Sequence, residues 1–67
     1  MESIADALPK EQKRVREVLG HYKEIGPAGA FGAAMIENSL EKADAAIMSG
    51  DLAAIIAAYK DLKEIKD

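Results

Sequence analysis

From Pro9 onward the apolar residues Val15, Val18, Leu19, Tyr22 and Ile25 recur at spacings of three and four, the signature of one face of an α-helix. Proline at the first helical position loses no hydrogen bond, because the N–H it lacks would be unpaired there. The pattern predicts a first helix over 9–25, preceded by a flexible arm of residues 1–8 with Leu8 as the cap. Gly26, which tolerates positive φ, and Pro27 then end that helix. Gly20 inside the run costs about 1 kcal/mol relative to alanine, which predicts a close backbone approach there.

A second helix is predicted over 27–48, opened by Pro27 and carrying the stripe Ile36, Leu40, Ala43 and Ile47, with Phe31 and Met35 on a neighbouring face. Glu37, Glu41 and Asp44 form its acidic outer edge. Ser49-Gly50 stops it, and Asp51 caps a third helix over 52–65 that buries Leu52, Ile55, Ile56, Tyr59, Leu62 and Ile65. So short a join forces the last two helices into an antiparallel αα-hairpin. The fold class is therefore all-α: a small three-helix domain spanning 1–67, with no strand signal and no repeat of solenoid period.

Thirteen alanines, crowded into the second and third helices, change this picture in one respect. Ala53, Ala54, Ala57 and Ala58, and likewise Ala30, Ala33, Ala34 and Met48, widen the apolar faces beyond the main stripes. A chain of 67 residues buries only about 60% of its extended surface. Wide apolar faces on so small a chain predict self-association as a homo-oligomer. With no cysteine there is no disulfide or zinc thiolate site, which fits a reducing cytoplasm. Neither a signal peptide nor a membrane-spanning run is expected.

The net charge of −3 argues against nonspecific nucleic-acid binding, which needs a basic surface. Yet Lys10, Lys13, Arg14 and Arg16 fall within seven residues, so one helix face is locally basic, with Glu11 and Glu17 interleaved. Arg14 and Arg16, and the acidic pair Glu37 and Glu41, are the candidate residues for docking on another protein. His21, close to the end of the first helix, suits a capping role or a plain surface position better than the role of a general base. The serines lack an activating motif. Glu37, Glu41 and Asp44 share a face but have no Glu-x-x-His companion, so no metal, cofactor or enzymatic activity is expected.

One segment could hold a ligand. Helix N-termini present unpaired N–H groups and the positive end of the dipole to anions. Ala28 and Gly29 at the start of the second helix leave that backbone uncovered, Tyr22, Lys23 and Gly26 lie just upstream, and Phe31 offers a ring for stacking. These six residues are the candidate site for a small phosphate-bearing or nucleotide ligand. No P-loop or dinucleotide fingerprint is present. The same residues also read as a helix–helix corner built for close crossing.

Leu19-Gly20-His21-Tyr22-Lys23-Glu24-Ile25-Gly26-Pro27-Ala28-Gly29-Ala30-Phe31-Gly32 and Ser49-Gly50-Asp51-Leu52 resemble a group of short helical proteins encoded by bacteriophages and prophages. The resemblance covers most of the chain and brings no established activity. By analogy with oligomeric phage proteins that sequester nucleotide-derived immune signals, it implies a non-enzymatic accessory protein acting in the host cytoplasm to blunt defence. The alternative is an adaptor or inhibitor that docks on another protein through a charged helix face.

Overall fold

Ser3, not Pro9, sets the start of the first helix. In the computed structural model, which describes residues 2–66, the Asp6 N–H donates to Ser3 Oγ at 3.2 Å and the Ser3 hydroxyl donates to Asp6 Oδ2 at 3.0 Å. The Ser3 carbonyl accepts from Asp6 and Ala7 at 3.1 and 2.9 Å, so the first orphan donors are satisfied and Asp6 sits at the positive end of the dipole. Helix α1 therefore runs Ile4–Ile25. Residues 4–8, expected to be part of a flexible arm, are its first turn. Pro9 lies inside the helix, where its missing N–H deprives the Ala5 carbonyl of its donor. The burial of Leu8, with no exposed surface, works against that loss. Outside this turn Glu2 hydrogen-bonds Lys10 and raises its ammonium pKa above the usual lysine value.

α1 ends where expected. Gly26 has φ +83°, a conformation that suits glycine, and its N–H bonds back to the Lys23 carbonyl. Pro27 does not open an α-helix directly. Gly26–Gly29 form a 3-10 turn in which the Ala30 N–H bonds the Pro27 carbonyl, and helix α2 runs Ala30–Ser49. Gly50, at φ +69°, closes α2 with its N–H shared between the Ala46 and Ile47 carbonyls at 3.2 and 3.3 Å. Asp51 caps helix α3, Leu52–Glu64, by accepting from the Ala53 N–H at 3.0 Å. Among the described residues these three α-helices and the 3-10 turn leave no strand.

Each helix packs against the other two. Leu8, Val15 and Val18 of α1 meet Ile36, Leu40, Ala43 and Ala46 of α2 and Ile55, Ala58 and Leu62 of α3 in one cluster. Three expected core positions turn out to be peripheral: Ile47, Leu52 and Ile56 are exposed near the α2–α3 join, and the smaller Ala46 and Ala58 fill the core instead. Small residues at those points let the hairpin helices close together. Ile25 is exposed as well, at the opposite end. The helices also differ in reach. At 1.5 Å per residue, α1 is about 33 Å long, α2 about 30 Å and α3 only about 20 Å. No described helix is long and apolar enough to cross a membrane.

Candidate functional site

The Gly-rich corner is held together by Tyr22. Gly29 is buried with φ −93°, which any residue adopts, but a Cβ there would lie 2.2 Å from the Tyr22 carbonyl oxygen. A Cβ on Gly32 would lie 2.6 Å from the Tyr22 ring. Both glycines are thus contact surfaces for one residue of α1, and they account for the short path of the chain through the 3-10 turn. Gly20, expected to mark a close approach, has open space around it. The close approaches are at 29 and 32.

The other candidate ligand residues diverge from this contact. Lys23 Nζ reaches from α1 to Glu37 Oε1 on α2 at 3.1 Å. Gly26 is half-buried, Ala28 is exposed, and the Phe31 ring projects outward with 78% of its surface exposed. Tyr22 and Gly29 are brought together as packing, whereas Lys23 and Phe31 are not aimed into a shared cavity. The first turn of α2 does carry no acidic residue.

Of the candidate docking charges, Arg14 is used inside the fold, Arg16 and Glu37 form exposed ion pairs, and Glu41 faces solvent. Arg14 forks over the free end of α3, donating from Nη1 to the Ile65 carbonyl at 2.9 Å and from Nη2 to the Leu62 carbonyl at 2.8 Å. Glu11 Oε1 holds the same guanidinium at 3.2–3.3 Å. Carbonyls at a helix C-terminus lack helical donors and sit at the negative end of the dipole, so this is a charge-assisted cap supplied from another helix. Arg16 lies 3.8 Å from Asp44, and Glu37 belongs to Lys23. Asp44 also accepts from Gln12 Nε2 at 2.7 Å; Gln12 is the buried polar residue of the core, 4% exposed. The acidic edge expected from Glu37, Glu41 and Asp44 is therefore mostly drawn toward α1, leaving Glu41 facing solvent. His21 is exposed. Among the described residues no group of three or more His, Cys, Asp or Glu is placed to hold a metal ion.

A cavity does exist, elsewhere. Glu37 and Asp44 turn one side of α2 toward α1, and on its other side α2 and α3 enclose a groove of about 590 Å³. Its floor is alanine: Ala45 and Ala46 from α2, Ala54, Ala57 and Ala58 from α3. Lys42 and Asp61 stand on its rims and Ser49 at its end. The cue was present in the sequence, since Ala54, Ala57, Ala58 and Asp61 follow one another at helical spacing, one face of α3. Phe31 and Met35 continue the Lys42 and Ser49 face of α2 upward, at spacings of four and seven residues, and Met35 is 58% exposed. Comparison with protein-family models, with curated proteins and with solved structures finds no match to this chain.

Proposed function

We propose that this protein acts by stoichiometric binding rather than catalysis, as a helical module that self-associates through its α2–α3 side. The observation that carries the reading is the alanine-floored groove, with the exposed Phe31 and Met35 further along the same face of α2, beyond Asn38 and Lys42. An apolar groove and large apolar side chains left exposed on one side of a small protein support an interaction site there. The charged faces support docking less well, because Arg14 caps the end of α3 and Arg16 and Glu37 already have partners within the chain, though on its surface. The test is the solution mass across a concentration series by sedimentation equilibrium. The expected result is a multiple of 7.2 kDa that falls toward the monomer on dilution, and a monomer at every concentration overturns the reading.

A second reading keeps the anti-defence role suggested by the phage resemblance: capture of a small anionic or nucleotide-type ligand at the corner. It is supported by the outward Phe31 ring beside a helix start free of acidic residues, where stacking and backbone N–H groups could act together. Calorimetric titration with cyclic nucleotides and with inorganic phosphate decides it. Binding that weakens in Phe31→Ala supports it, and no heat with any of these ligands ends it.

A further inference from the structure

The occupant of the groove can be argued from its charges and its shape. Lys42 stands on the α2 rim and Asp61 on the α3 rim. Lys42 lies eight residues before Gly50 and Asp61 ten residues after Asp51, so both stand roughly 12–15 Å from the turn. Among the described residues neither makes an ion pair within the chain, so both are available to a partner. The groove thus presents a positive rim and a negative rim at one level.

We infer that a second copy of this chain seats its own groove here, related by a two-fold axis running along the helices, with Lys42 facing Asp61 of the partner subunit; the inference rests on the self-association proposed above. Such an axis lays α2 of one copy on α3 of the other and forms the opposite-charge pair twice. A two-fold across the helices at the level of these residues would set each charge against its own like, so electrostatics favours the first arrangement over that one. In it every neighbouring helix pair is antiparallel, the order of an up-down four-helix bundle, and the dipoles oppose. The alanine floor lets the helices approach at the short end of the usual range of about 8–10 Å.

The short third helix completes the fit. About 10 Å of α2, bearing Phe31 and Met35, projects past the end of α3. In the pair, these residues from both copies meet over the two α3 ends and bury surface that is otherwise in water. The area needed is available. A standard interface of about 800 Å² per partner is roughly a sixth of the 4590 Å² surface, less than one of the three outward sides of the bundle.

The test uses charge reversal in the full chain, with helicity by circular dichroism confirming that each variant is folded. Lys42→Glu alone and Asp61→Lys alone are each expected to weaken the dimer at least about tenfold. Mixing the two single variants should restore it. The carboxylate introduced at position 42 of one chain then faces the ammonium introduced at position 61 of the other, while the native pair re-forms at the second contact. An effect within one chain cannot produce that complementation. Ala57→Trp, which fills the groove at an exposed position, should block the dimer without touching the charges. A wild-type dimer that ignores both reversals, or single variants that stay monomeric when mixed, overturns this arrangement and leaves the self-association reading standing. A wild-type monomer removes both.

Discussion

Gly29→Ala is expected to unfold this protein or bring it to the edge of unfolding. The added Cβ would sit 2.2 Å from the Tyr22 carbonyl oxygen, 3.2 Å from its carbonyl carbon and 3.3 Å from the Ile25 Cβ. These are atoms of the last turn of α1, and two of the three are backbone, so a side-chain rotation cannot relieve the overlap. The turn must move as a unit and carry Tyr22 away from Gly32. Overpacking typically costs about 1–3 kcal/mol where side chains can yield, and here the upper end or more is expected. A domain of this size has only about 3–10 kcal/mol of stability in total. Urea or thermal denaturation followed by circular dichroism measures the loss.

Two other glycines make the result specific. Gly32→Ala meets only the edge of the Tyr22 ring, at 2.6–2.7 Å, and the half-buried ring can swing outward. Its cost should be the smaller, about 1 kcal/mol. Gly20→Ala meets nothing and sits in mid-helix, so it should stabilise by about 0.5–1 kcal/mol. The expected order of melting temperature is Gly20→Ala above wild type, then Gly32→Ala, then Gly29→Ala. Equal effects at 29 and 32 would mean that the Tyr22 backbone contact does not organise the corner.

That order shows what was legible in the sequence. The helix ends at Gly26 and at Gly50-Asp51 could be read because each rests on local chemistry, a positive φ or a capping carboxylate. The role of each glycine could not, because an approach between helices depends on which turn lies opposite. Gly20 breaks a helical pattern with open space around it, while Gly29 sits unremarked in a turn and carries the contact. The charges misled for the same reason. Arg14 looks like one of four basic surface residues until the end of α3 arrives beneath it from 48–51 residues away. Asp44 looks like part of an acidic edge until Gln12 is placed opposite, 32 residues away in sequence. The groove needs two helices to exist at all, although its alanine spacing was visible on each.

Leu8→Ala should cost about 2–5 kcal/mol, the range for removing a buried leucine side chain, because the site loses transfer free energy and keeps part of the cavity. For a domain of this size that corresponds to a fall in melting temperature of at least about 8–16 °C. The effect originates in the first turn of α1. Leu8 has no exposed surface and belongs to the same cluster as Val15, Leu40 and Leu62, with Ile4 packed against it. It reached that place because Ser3 and Asp6 cap the helix upstream of Pro9 and so continue the apolar stripe backwards, Leu8 standing seven residues before Val15 and Ile4 a further turn away. Pro9→Ala, one position on and exposed, should shift stability the opposite way by returning a donor to the Ala5 carbonyl. Opposite signs at adjacent residues are what a helix passing through Pro9 requires. A mobile arm would make both substitutions neutral, and that result would also remove Leu8 from the core on which the spacing of all three helices, and hence the width of the α2–α3 groove, depends.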